Sequence, residues 1–211
     1  MRSPGATPLA LLATAIAIAP LGVAHASNTA FDESVSGDLS DGGAEAPSPV
    51  SFVVGSNVVT GSVASGSIGD TRDYWTFDID PGLQLEAVLL LEYDDPNSLA
   101  GTLMDGNRGF YSLLDGVSGA IPGAGFANLG GNHLDPLGFG ADLLAPIAAG
   151  GISGGTGFDT PLGPGTYTFQ VQQTGSPVSN YSLSFVIAPI PEPATAWLLT
   201  FGLTTIRRRR R

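Results

Sequence analysis

Carboxylates dominate the side chains able to do chemistry in this sequence. Nineteen Asp and Glu stand beside eight arginines, two histidines, no cysteine and no lysine in 211 residues. Without Cys there is no disulfide scaffold, thiolate zinc site, iron–sulfur cluster or cysteine nucleophile. Without Lys, Schiff-base and P-loop lysine chemistry are excluded as well. His133 is the one histidine outside the N-terminal segment. Asp135 lies near it, but a catalytic triad needs Ser, His and acid to converge, and no G-x-S-x-G elbow is present. One histidine without cysteine is also a poor zinc ligand set. No catalytic, cofactor-binding or metal-ligating residue is fixed by motif, and the protein is read as non-catalytic.

Calcium asks for a different donor set, six to eight oxygens, largely carboxylate and carbonyl. Asp70 and Asp73 open one expected strand; Asp94 and Asp95 close the next. If those strands form an antiparallel pair joined at Asp80–Leu83, the four carboxylates meet at one sandwich edge. Arg72 stands among them as a neutralising charge, and ordinary strand-end capping accounts for the same aspartates. Asp105–Gly109 matches half of an EF-hand loop but lacks the glutamate at its twelfth position. A polysaccharide hydrolase would need two carboxylates about 5–10 Å apart, and no pair is singled out. Tyr74, expected to face outward, is a candidate sugar-stacking ring; Trp75 is expected in the core.

The elements that would position these groups show period-two alternation. Trp75, Phe77 and Ile79 share one face against Tyr74, Thr76 and Asp78. After the turn Asp80-Pro81-Gly82, the residues Leu83, Leu85, Ala87, Leu89, Leu91 and Tyr93 alternate with Gln84, Glu86, Val88, Leu90 and Glu92. Tyr167, Phe169 and Val171 follow Leu162-Gly163-Pro164-Gly165, and Tyr181, Leu183, Phe185 and Ile187 come last. Phe52–Val54 and Val58–Val63 make a weaker pair. Short strands between Gly/Pro turns predict an all-β, antiparallel sandwich over 48–188, with a Gly-rich surface excursion at about 116–161. Trp75, Phe77, Leu85, Leu89, Tyr167, Phe169, Leu183 and Phe185 are the expected core. Residues 27–47, rich in Ser, Gly, Asp and Glu, read as a flexible acidic linker.

Charge is partitioned along the chain. Residues 1–27 hold one arginine and no acid, 28–193 two arginines and all 19 acids, and 194–211 five arginines and no acid, so the formal charge of −11 is a −17 body between basic ends. An acidic body repels phosphate, which argues against a nucleic-acid partner.

At the N-terminus, Arg2 precedes the apolar run Leu9–Ala19, the breakers Pro20 and Gly22, and then Ala24-His25-Ala26. A charged n-region, a short h-region and an A-x-A site make residues 1–26 a signal peptide cut by signal peptidase after Ala26. At the C-terminus, Pro191-Glu192-Pro193 leads into the apolar stretch 194–206 and then Arg207, Arg208, Arg209, Arg210 and Arg211. The prolines hold the preceding chain extended. The arginines act as a stop-transfer cluster that stays cytoplasmic and lets a short membrane helix at 194–206 be retained.

Pro-Glu-Pro, a short hydrophobic helix and a basic end in that order resemble the PEP-CTERM sorting signal, over residues 189–211. The resemblance implies a Gram-negative export system. In it an exosortase recognises Pro191, Glu192 and Pro193, the protein passes through an inner-membrane intermediate, and it ends at the cell surface or in the extracellular matrix. Exopolysaccharide or biofilm material is the associated partner. Gly69-Asp70-Thr71-Arg72-Asp73-Tyr74-Trp75-Thr76-Phe77, Pro81-Gly82, Leu162–Phe169 and Tyr181-Ser182-Leu183 resemble the bacterial pre-peptidase C-terminal domain, which implies a jelly-roll-like sandwich. The expectation is therefore an exported, non-catalytic surface or matrix protein without cofactor. A Ca²⁺-dependent adhesive or carbohydrate-binding module and a secreted polysaccharide-acting hydrolase are the alternatives.

Overall fold

The computed structural model describes residues 27–42, 46–64, 69–94, 109–117, 128–134, 138–152, 154–173 and 178–192. The signal segment with Ala24 and Ala26, Pro193, the 194–206 stretch and Arg207–Arg211 lie outside the described residues, as do Asp95, Asp135 and 105–108. Among the described residues, no helix is long and apolar enough to cross a membrane.

The strands are β1 (Ser27–Asp32), β2 (Ser48–Pro49), β3 (Gly55–Val63), β4 (Arg72–Ile79), β5 (Leu83–Asp94), β6 (Phe110–Asp115), β7 (Asn128–His133), β8 (Gly165–Gln172) and β9 (Ser179–Pro189), with short helices α1 (Glu33–Ser36) and α2 (Leu144–Ala148). They form one sheet of order β1-β3-β9-β5 and a second of order β2-β4-β8-β6-β7. The all-β expectation holds. Alternation in β4, β8 and β9 drives one face of each sheet together. Phe185 of the first sheet meets Trp75, Phe77 and Phe169 of the second at ring distances of 6.0, 5.5 and 5.2 Å. Each such ring, fully buried, stabilises by about 1.5–3 kcal/mol. Trp75, Phe77, Leu85, Tyr167, Phe169, Leu183 and Phe185 are all buried as expected.

Several expectations are corrected. The sheets are mixed rather than antiparallel throughout, because β1 runs parallel to β3 and β2 parallel to β4 at the edges. The long connection from β1 to β3 is what permits a parallel neighbour. β4 and β5 are not a hairpin: β4 pairs with β8 and β5 with β9. The turn through Gly82 (φ +88°) therefore steps between layers. Leu89 is only half-buried, and Val88 and Leu90 take its place in the core. Register shifts between Leu85 and Ala87 and between Leu90 and Glu92 cause this. Each extra residue in a strand turns the following side chains to the other face.

The 27–47 stretch is not simply a linker. It contributes β1, α1 and the fully buried Leu39. The 116–161 stretch is not only a surface excursion either. It supplies β7, α2 and the buried Leu134, Leu143, Leu144 and Ile147. Its backbone closes one side of the sandwich. Leu143 N–H donates to Val88 O along β5, while Gly157 N–H donates to Leu129 O along β7.

Strand directions give the sandwich two distinct ends. Ser27 pairs with Ser56 and Ser56 with Val186, while Leu83 pairs with Pro189. Both ends of the described chain thus leave at one end of the sandwich, beside the Asp80–Gly82 turn. Asp32, Val63, Arg72, Ser179 and Asp94 lie at the other.

Candidate metal centre

The end opposite the chain termini gathers acids from three segments. β1 ends at Asp32, whose Oδ1 accepts from Ser34 N–H at 2.9 Å and caps α1. That cap turns Glu33 back over β3. Glu33 Oε1 accepts from Leu39 N–H at 3.1 Å and Oε2 from Ser62 N–H at 2.7 Å. Gly61 allows this approach: a Cβ there would lie 2.9 Å from Glu33 Cδ and 2.5 Å from the Tyr181 hydroxyl. Asp38 follows from the loop after α1, and Asp70 and Asp73 come from the entry to β4.

Asp73 is fully buried. Its Oδ2 accepts a hydrogen bond from the Tyr181 hydroxyl at 2.7 Å. Among the described residues its Oδ1 has no hydrogen-bond partner, and neither has the buried Oδ1 of Asp70. One carboxylate oxygen each from Glu33, Asp38 and Asp73 lie within 4.8 Å of one another. Two oxygens bound to one Ca²⁺ at 2.3–2.6 Å can stand at most about 5.2 Å apart, so these three can share an ion. The open cleft beside them has a volume of about 600 Å³ and is lined by Asp32, Ser34, Thr60, Ser62, Asp70 and Asn180, among others.

The electrostatics have one sign. Burial pushes the Asp70 carboxyl up to about 7, with Asp38, Glu33 and Asp41 adding to the shift. Burial first, then Glu33, holds Asp73 well above the usual carboxylate range despite the Tyr181 hydrogen bond. Burial raises Glu33 against the two backbone N–H donors, and burial with Asp41 raises Asp38. Two like charges 4–5 Å apart repel by about 4 kcal/mol at an effective dielectric constant of 20. Protonation or a bound cation relieves that repulsion.

Of the expected calcium ligands, Asp70 and Asp73 stand at this site. Asp94 reaches the same end, paired with Asn180, but is exposed and outside the group. Arg72, the expected neutralising charge, is not among the groups that shift the Asp70 and Asp73 carboxyls. It acts on Tyr74, whose hydroxyl burial pushes up and Arg72 pulls down. Glu33 and Asp38 were not foreseen, because their segment has linker composition. The available signal was the Asp32 cap ahead of Glu33 and the glycine at position 37, which together mark a short helix.

Tyr74 is corrected as a sugar platform: it is fully buried and offers no ring to a ligand. His133 is exposed, with its ring edge-on to Phe110 at 5.9 Å. Pro191 and Glu192 follow β9 and are exposed. Ile190 N–H donates to Gly82 O at 2.8 Å just before them. Searches against protein-family models and curated proteins give no match to this chain.

Proposed function

We propose that this chain is an exported, non-catalytic protein of the cell surface or extracellular matrix. Its body holds a Ca²⁺ ion between Glu33, Asp38 and Asp73, with Asp70 beside them. The observation that carries the metal assignment is Asp73 Oδ1: buried, without a hydrogen-bond partner, and grouped with two further carboxylates. A buried unpaired charge is costly unless it is neutralised or coordinated. An all-oxygen donor set is what Ca²⁺ takes and what zinc and copper take less readily. The export reading rests on the signal segment ending at Ala26, the acidic body and the Pro191-Glu192-Pro193 tail. These favour processing by signal peptidase and then an exosortase, by way of an inner-membrane intermediate.

The hydrolytic alternative finds less support. A carboxylate that attacks or protonates a sugar must touch it, and Asp73 is sealed from solvent.

Thermal unfolding of the chain in chelator and in millimolar Ca²⁺ tests the metal. A ligand at 100 times its Kd stabilises the folded state by about 2.7 kcal/mol. Ca²⁺ is expected to raise Tm in the parent and to leave the Asp73→Asn variant unmoved. A parent that melts identically in chelator and in Ca²⁺ removes the ion from this reading.

A further inference from the structure

We infer that the end of the sandwich where both chain termini leave is a lipid-facing surface. In the membrane-held intermediate it rests on the bilayer through Val53, Val54, Val117 and Ile190 and turns the acidic cleft outward. The inference rests on the reading of 194–206 as a membrane helix and extends it to the folded body.

Three observations carry it. The first is the tether. Ile190 N–H is bonded to Gly82 O, so the folded body reaches residue 190. From there to Ala194 the chain spans at most about 14 Å even when fully extended. A bilayer of about 40–45 Å with a hydrocarbon core of about 30 Å has headgroup layers of only about 5–8 Å each. The end of the sandwich can then stand no more than about 6–9 Å beyond the headgroup layer, close enough for its side chains to reach it.

The second is the other terminus. Ser27 begins β1 directly after the signal segment and pairs with Ser56 at this same end. Both segments expected to meet a membrane therefore leave toward one side.

The third is the surface itself. Val53, Val54, Val117 and Ile190 are 53, 46, 62 and 42% exposed. Val53 and Val54 lead into Gly55, which pairs with Ile187 near the end of β9. Val117 follows Gly116, whose N–H donates to Thr166 O opposite Asp78 in β4. All four sit at the terminal end, on both sheets. Val35, Phe139, Ile152 and Val178 are exposed elsewhere on the body, so what singles out the four at the terminal end is their place beside the tether. Asp78, Asp80, Asp115 and Glu192 are exposed at the same end, so an anionic surface would be repelled. The fitting partner is a zwitterionic rather than an anionic lipid surface. The acidic cleft begins at Asn180, nine residues before Pro189 on β9, about 30 Å away at ~3.3 Å per strand residue.

The chain has no cysteine, so single cysteines can be introduced cleanly. The chain from Ser27 to Arg211, the proposed membrane-held form, carrying Val54→Cys or Val35→Cys, each labelled with an environment-sensitive fluorophore, is incorporated into phosphatidylcholine vesicles containing a headgroup nitroxide lipid. Val35 lies on α1 at the opposite end and is 83% exposed. The probe at 54 is expected to be quenched several-fold more than the probe at 35. Equal quenching in chains that float with the vesicles overturns the lipid-facing surface and leaves the membrane helix standing. Chains that do not float with the vesicles overturn both.

Discussion

Asp73 shows how one buried oxygen constrains the chemistry around it. Its Oδ2 is satisfied by Tyr181 and its Oδ1 by no partner among the described residues. Tyr181 is the donor to that carboxylate among the described residues; with Ca²⁺ bound, which requires Asp73 ionised, losing this hydrogen bond in Tyr181→Phe costs about 1.5–3 kcal/mol. Urea unfolding in Ca²⁺ at pH 7.5 is expected to show a loss of that size, and a loss below experimental error would remove Tyr181 from the site. The pH dependence follows from the raised carboxyls. Asp70 moves from 3.8 to about 7 on folding, so the folded state holds a proton that the unfolded chain releases. Without metal, stability falls as pH rises from about 4 to about 7 and stays low above that. A cation reverses this at neutral pH, because metal binding requires the deprotonated carboxylates. In chelator, Tm is expected to be lower at pH 7.5 than at pH 5. Ca²⁺ should restore it at pH 7.5 and do little at pH 5. Asp70→Asn separates this local effect from the charge of the whole acidic body by flattening the slope. A Tm in chelator that increases over the same interval contradicts the argument.

Strands were legible in the sequence where alternation is unbroken and hidden where backbone geometry resets it. β4, β8 and β9 each keep one face apolar, and their core residues follow directly. In β5 the extra residues at the two bulges move the core from Leu85 to Val88 and Leu90, and then to Tyr93. No composition rule marks a bulge inside an apolar run, which is why Leu89 was misplaced. β1 was invisible for another reason: Ser-Asn-Thr-Ala-Phe-Asp has no period, and its order comes from parallel pairing with β3. That same blind spot hid half of the metal centre, since Asp70 and Asp73 are visible ahead of a strong strand while Glu33 and Asp38 are not. The edge of β7 is settled by backbone contacts that only glycine permits. Gly151 has φ +58°, and a Cβ there would collide with the Gly131 carbonyl. Ile152 N–H donates to that carbonyl at 2.9 Å, fastening 152–157 along the strand. Gly151→Ala is expected to cost about 1–3 kcal/mol, the usual range for backbone strain. Hydrogen exchange should then accelerate in β7 and leave β3 and β9 protected. Uniform acceleration across both sheets would show that this strap is not a separate unit.

At the scale of the whole molecule, the acidic body lies between two basic, apolar segments in the sequence, and in the proposed function the tail decides where it stops. A −17 body has little affinity for an anionic membrane, so the proposed retention rests on 194–206 and the arginines behind it. On the insertion scale a central arginine costs about 2.5–3.5 kcal/mol, so five in succession do not cross. The apolar stretch is short, so the proposed membrane retention depends on that cationic stop. Pro191 and Glu192 emerge from β9 already exposed. The proposed recognition peptide thus needs no unfolding of the body to be presented at the outer surface. Changing Pro191-Glu192-Pro193 to Ala-Ala-Ala leaves the helix and its arginines intact. In a host that makes an exosortase, this variant is expected to insert and then accumulate as an uncut membrane form. Deleting Arg207–Arg211 is expected to act one step earlier, producing chain that is exported but not held for processing. Fractionation with mass determination of the C-terminus distinguishes the two. Release of the triple-alanine variant with the parent's C-terminus and the parent's yield would mean that the prolines are not read, leaving the tail as an anchor alone.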